Sequence, residues 1–148
     1  MLSTNFIAAT KEFSSYEYET HIPAPYIRKT FSIENTVKSA KITICGLGFY
    51  ELYINGGRIT KGHLAPYISN PDDILYYDEY EINSLLSNGK NAIGIMLGNG
   101  MLNCIGGTVW QMEQAVYRSA PKVALSLEIT YENGETDVIT ADESFKTH

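Results

Sequence analysis

The residues able to do chemistry are few, and their spacing argues against a reaction centre. The histidines are His21, His63 and His148. None has a second His, a Cys or a carboxylate at metal-ligand spacing, so no metal and no cofactor are expected. A nucleophilic site needs a presented Ser, Cys or Thr beside a base, and no Gly-x-Ser-x-Gly elbow occurs. Cys104 lies in a Gly-rich stretch with no neighbour to lower its pKa, which reads as a loop cysteine without a role. Gly98-Asn99-Gly100, Gly106-Gly107 and Gly46-x-Gly48 lack the following helix N-terminus and lysine that a phosphate loop uses. Acidic pairs exist, but Asp72-Asp73 sits in a Pro-containing turn. Asp78, Glu79 and Glu81 decorate a strand, and Glu135 and Asp137 a hairpin end, so a solvated face is the better account. No catalytic residue is assigned.

Aromatic rings beside amides are the more promising set. A ring can stack on the apolar face of a pyranose while Asn, Asp or Gln bonds its hydroxyls. Trp110, the sole tryptophan, stands next to Gln111, and Tyr67, Asn70, Asn99 and Asn103 fall in loop-like stretches. The carbohydrate-binding candidates are therefore Trp110, Asn99, Asn103 and Tyr67. Core-edge packing is the competing account for Trp110, and more so for strand tyrosines such as Tyr77.

The elements that must position these residues are short strands. From Tyr26 to Ile33, and from Ala40 to Cys45, apolar residues alternate with polar ones. Phe49 to Ile54 ends at Asn55-Gly56, which accepts the positive φ angles of a type I′ hairpin turn, with Arg58 to Thr60 returning. Pro66 and Pro71 bracket a loop. A Tyr-rich strand is expected from Ile74 to Ile82, with Asp78 and Tyr80 on one face, then one helical turn from Asn83 to Leu86. Asn91 to Leu97 reads as a strand buried on both faces. Lys122 to Tyr131 alternates with Val123, Leu125, Leu127 and Ile129 inward, and Asn133-Gly134 turns into Thr136 to Thr140. Such spacing predicts an all-β, antiparallel sandwich.

The chain has 148 residues, 44% hydrophobic and 19% charged, enough for one domain with a sizeable core. A net charge of −6 argues against nucleic acid and anionic membrane surfaces as partners. For Cys45, in an apolar run, a buried free thiol is the commoner state, and a disulfide to Cys104 is not needed. No apolar run reaches the ~18 residues that span a bilayer, and no secretory leader is visible. A cytoplasmic location is the default expectation, with a secreted or periplasmic parent left open.

One set of segments is familiar. Gly46-Leu47-Gly48-Phe49-Tyr50-Glu51-Leu52-Tyr53-Ile54-Asn55-Gly56, Leu64-Ala65-Pro66, Tyr76-Tyr77-Asp78, Leu86-x-x-Gly89-x-Asn91-Ala92-Ile93-Gly94 and Leu97-Gly98-Asn99-Gly100 together resemble the N-terminal β-sandwich domain of bacterial α-L-rhamnosidases of glycoside hydrolase family 78. Ile27 to Phe31 is similar to its opening strand, and Tyr117 to Pro121 and Asp142 to Lys146 to its closing segments. The resemblance covers about Pro25 to Lys146. It implies a jelly-roll, galactose-binding-domain-like sandwich over residues 25–148, with residues 1–24 as an N-terminal extension. It also implies a non-catalytic accessory module, whose partner is a catalytic (α/α)-barrel domain of the same parent chain and whose ligand is a rhamnose-containing glycan. The parent reaction would be hydrolysis of terminal α-L-rhamnosides with inversion. The alternative is a stand-alone carbohydrate-binding or adhesion module. Two departures fall at Met101-Leu102, where the family carries an aromatic pair, and at Phe145, where it commonly has Trp.

Overall fold

The computed structural model describes residues 2–11, 24–104 and 116–148. Two antiparallel sheets of five strands pack face to face. In one, β8 (Lys122–Tyr131) pairs with β3 (Val37–Leu47), and β3 pairs with β6 (Asp78–Glu81). Along its other edge β8 takes β1 (Ile7–Ala8) at its start and β9 (Thr136–Thr140) further along. The second sheet runs β10 (Lys146–Thr147), β2 (Tyr26–Ile33), β7 (Gly89–Gly98), β4 (Phe49–Ile54) and β5 (Gly57–Arg58).

Alternation along each strand builds the core between the sheets. Ile42 and Ile44 of β3 and Val123, Leu125, Leu127 and Ile129 of β8 are buried from one side. Tyr50, Leu52 and Ile54 of β4 and Ile93, Ile95 and Leu97 of β7 are buried from the other. Each such aliphatic side chain contributes about 1.5–3 kcal/mol when fully buried. The turn after β4 is the expected one: Asn55 and Gly56 both take positive φ, 51° and 83°. The Asn55 side chain also ties that turn to its neighbours, donating to the Leu85 carbonyl and the Asn91 side chain at 2.9 Å each.

Three expectations need correction. The strand expected over Ile74 to Ile82 shortens to Asp78–Glu81, because only those residues meet the β3 edge, from Ile44 to Lys41. Residues 74–77 are exposed. The return strand expected at Arg58 to Thr60 is just Gly57–Arg58. β7 is buried on one face rather than two: Asn91, Ile93, Ile95 and Leu97 point into the core, while Ala92, Gly94 and Met96 are half-buried. No further layer among the described residues seals the outer face of its sheet.

The outer face of the other sheet is covered in part. Thr43, Cys45, Ala124 and Ser126 point away from the core yet are buried. The N-terminal segment lies over them: the Ser3 N–H donates to Ser126 Oγ at 2.9 Å, and Ile7 stands opposite Val123 in register. Cys45 and Cys104 are both free thiols. Among the described residues no helix is long and apolar enough to cross a membrane.

Candidate functional site

The loop between β5 and β6 crosses one margin of the sandwich and carries Tyr67. It is anchored where Tyr50 N–H donates to the Ala65 carbonyl at 2.7 Å, and Ala65 and Pro66 join through a cis peptide bond. Tyr67 is 86% exposed and meets Tyr76 edge to face, with ring centroids 6.5 Å apart.

Two concavities flank Tyr67. The smaller holds about 40 Å³ between Gly46–Phe49, Pro66–Ser69, Pro71, Met101, Leu102 and Tyr117. That space admits a water molecule or two and not a pyranose. The larger cleft, about 470 Å³, is lined by Lys61, His63–Tyr67 and Asp78–Tyr80, and falls in the range of small-molecule sites. It brings an aromatic ring and the apolar Leu64 and Pro66 together with acidic residues and a phenol. That is the mixture a sugar ring requires.

A part-buried hydrogen-bond cluster fixes the polar wall. The Tyr50 hydroxyl, rooted in the core, donates to Asp78 Oδ2 and stands 3.2 Å from the Tyr80 hydroxyl. Burial first, and then the bonds to Asp78 and Tyr80, push the Tyr50 phenol far above the ordinary tyrosine value. Burial likewise raises Tyr80. Tyr50 thus stays neutral and donates, which directs the Asp78 carboxylate at the cleft. Beside it, Glu79 Oε1 accepts from Lys41 Nζ at 3.0 Å and Thr43 Oγ1 at 3.3 Å, and the lysine bond holds its carboxyl below the usual range. At the other rim His63 Nδ1 and Arg58 Nη1 each lie 3.2 Å from Glu51 Oε1, and Tyr53 donates to Glu51 Oε2 at 2.5 Å.

Of the residues expected to bind sugar, Tyr67 lies on this cleft. Asn99 and Asn103 do not line it. Asn99 precedes the 3-10 turn Gly100–Asn103 and Asn103 ends it, and the buried Asn103 amide donates to Asn99 Oδ1 at 3.0 Å across the turn. Asn70 accepts from the Asp72 N–H and donates to Asp73 within its own loop. Trp110 and Gln111 lie outside the described residues. His63, Asp78 and Tyr80 were not among the candidates. The strand alternation that put Asp78 and Tyr80 on one face was the available signal, but nothing local shows what that face meets. Among the described residues no group of three or more His, Cys, Asp or Glu is placed to hold a metal ion.

Comparison with known proteins settles the family. A family model described as the α-L-rhamnosidase N-terminal domain matches residues 35–148. The chain belongs to that family. A curated α-L-rhamnosidase from Formosa agariphila is 32% identical to this rhamnosidase N-terminal domain over 149 residues, covering 93% of the chain and 16% of the relative. The crystal structure of the native α-L-rhamnosidase from Aspergillus terreus superposes with a TM-score of 0.83 at 29% identity, covering 97% of the chain and 16% of that one. A Streptomyces avermitilis α-L-rhamnosidase complexed with L-rhamnose superposes with a TM-score of 0.76 at 25% identity, over 84% of the chain and 12% of that one. The rhamnosidase domain thus spans a sixth or less of the length of these relatives.

Proposed function

We propose that this domain is a non-catalytic accessory module of an α-L-rhamnosidase, packing on the catalytic domain and binding a rhamnoside in the Tyr67 cleft. The observation that carries the binding half is the cleft itself. An exposed ring shares the cleft with the Asp78 carboxylate, which the neutral Tyr50 hydroxyl holds in place. The ring covers the apolar face of the sugar, and the Asp78 carboxylate accepts from its hydroxyls. The relative complexed with L-rhamnose supports the choice of sugar. Hydrolysis itself would belong to another part of the parent enzyme.

Titration with L-rhamnose and aryl rhamnosides, followed by NMR shifts or calorimetry, tests the reading. Millimolar affinity is expected, lost in Tyr67→Ala and Asp78→Ala without loss of fold. Silence up to tens of millimolar sugar would remove the binding half. Release of nitrophenol from a nitrophenyl rhamnoside by the chain alone would overturn the non-catalytic assignment.

A further inference from the structure

The segment from Leu64 to Tyr77 has a surface unlike the rest of the domain. Among the described residues, seven of the twelve large hydrophobic side chains left exposed fall within these fourteen positions. Tyr67, Leu64, Ile68 and Tyr77 are each 60% exposed or more. Ile74, Leu75 and Tyr76 complete the set.

Shared concavities and one ring contact link most of these side chains. Ile68 shares the small cavity with Met101 and Tyr67, while Tyr67 shares the larger cleft with Leu64 and Glu79. Glu79 in turn borders a third, mostly apolar concavity of about 440 Å³ with Leu75, Tyr77 and Phe6. The Tyr67–Tyr76 ring contact bridges the two halves of the loop.

The area decides what such a surface is for. The three tyrosines, at about 150–250 Å² each when fully exposed, and the four smaller aliphatic side chains stand 42–86% exposed and together present roughly 400–800 Å². The largest apolar patch of an ordinary monomer is about 300–600 Å². One side of a standard protein interface is about 800 Å². The loop therefore exposes an apolar surface at or above the largest patch of an ordinary monomer, the size at which docking sites are found, and its acidic Asp72 and Asp73 lie in the turn between the two hydrophobic runs.

We infer that the Leu64–Tyr77 face is the surface by which this domain docks on another domain of an α-L-rhamnosidase polypeptide. The inference rests on the accessory-module reading and names the face that module uses. The occupant follows from length: in relatives of this family the domain is 16% or less of one continuous chain, so the partner is supplied by the same polypeptide. The larger cleft then sits at the seam, the usual place for a small-molecule site between domains.

The test uses the chain as it is, titrated by calorimetry against the Formosa agariphila α-L-rhamnosidase expressed without its own N-terminal domain. A triple variant, Ile68→Ser/Leu75→Ser/Tyr77→Ser, changes exposed side chains and leaves Tyr67 for the sugar. Val138→Ser on β9, also exposed, is the control. Micromolar association is expected for the unaltered chain and the control, weakened at least tenfold in the triple variant. Equal binding by the triple variant would overturn the docking face alone. No association by the unaltered chain would overturn the accessory-module reading beneath it. A dimer of the chain in sedimentation analysis that the triple variant breaks would give the face to a second copy and overturn the inference by that route.

Discussion

Tyr50→Phe is the most informative single change, because it removes one oxygen and little else. The ring stays in the core, so no cavity opens. What is lost is the bond to the Asp78 carboxylate and the contact with the Tyr80 hydroxyl. A hydrogen bond to a charged partner contributes about 1.5–3 kcal/mol. At about 2–4 °C per kcal/mol for a domain of this size, the melting temperature should fall by roughly 3–12 °C. Urea unfolding at pH 7 should show a lower midpoint with unchanged slope. Because the Tyr50 phenol is raised in the folded state, its contribution is fully present below the ordinary tyrosine value near 10. It declines as pH rises above that value, so the advantage of the native chain over the variant should narrow in strong alkali. In a cycle with Asp78→Asn the two changes should couple rather than add. A loss under about 0.5 kcal/mol, or simple additivity, would refute the assignment of Tyr50 as the group that positions Asp78.

Two glycines in positive φ should differ sharply. Gly48→Ala places a Cβ 2.4 Å from the Gly98 carbonyl oxygen and should cost well over about 2 kcal/mol, whereas Gly56→Ala meets nothing within 4 Å and should cost about 1–2 kcal/mol, both read by urea unfolding. Burial, and then the Asp78 charge, push the Cys45 thiol up to about 11, so it should resist a thiol-disulfide reagent at pH 8 until denaturant is added. The Asp137 bond lifts Tyr131 to about 12, so this pair stabilises the fold fully below pH 10. That contribution disappears between pH 10 and 12, and Tyr131→Phe should flatten the corresponding part of the stability profile.

Local rules carried much of the architecture. The alternation of Val123, Leu125, Leu127 and Ile129 predicts which face of β8 is buried, since side chains on a strand point alternately to opposite sides. Asn55-Gly56 predicts its turn because both residues tolerate positive φ, and in Asn133-Gly134 the glycine alone takes it, at 88°. The family resemblance was legible in the same strands and turns, where order and spacing are set by the chain alone. A strand, however, exists only where a partner edge meets it. Ile74 to Tyr77 have the composition of β structure but find no ladder, whereas Ile7–Ala8 gain one on β8 more than a hundred positions away. The same holds for the site. Tyr67 could be picked as a loop aromatic, but the Tyr50–Asp78 bond joins residues 28 apart, and the cleft exists only once the Leu64–Tyr67 loop lies beside β6. Periodicity and turn chemistry depend on neighbours in sequence, so one chain suffices to read them. Edges, clefts and the polarity of a wall depend on neighbours in space, and those come only with the packed sandwich.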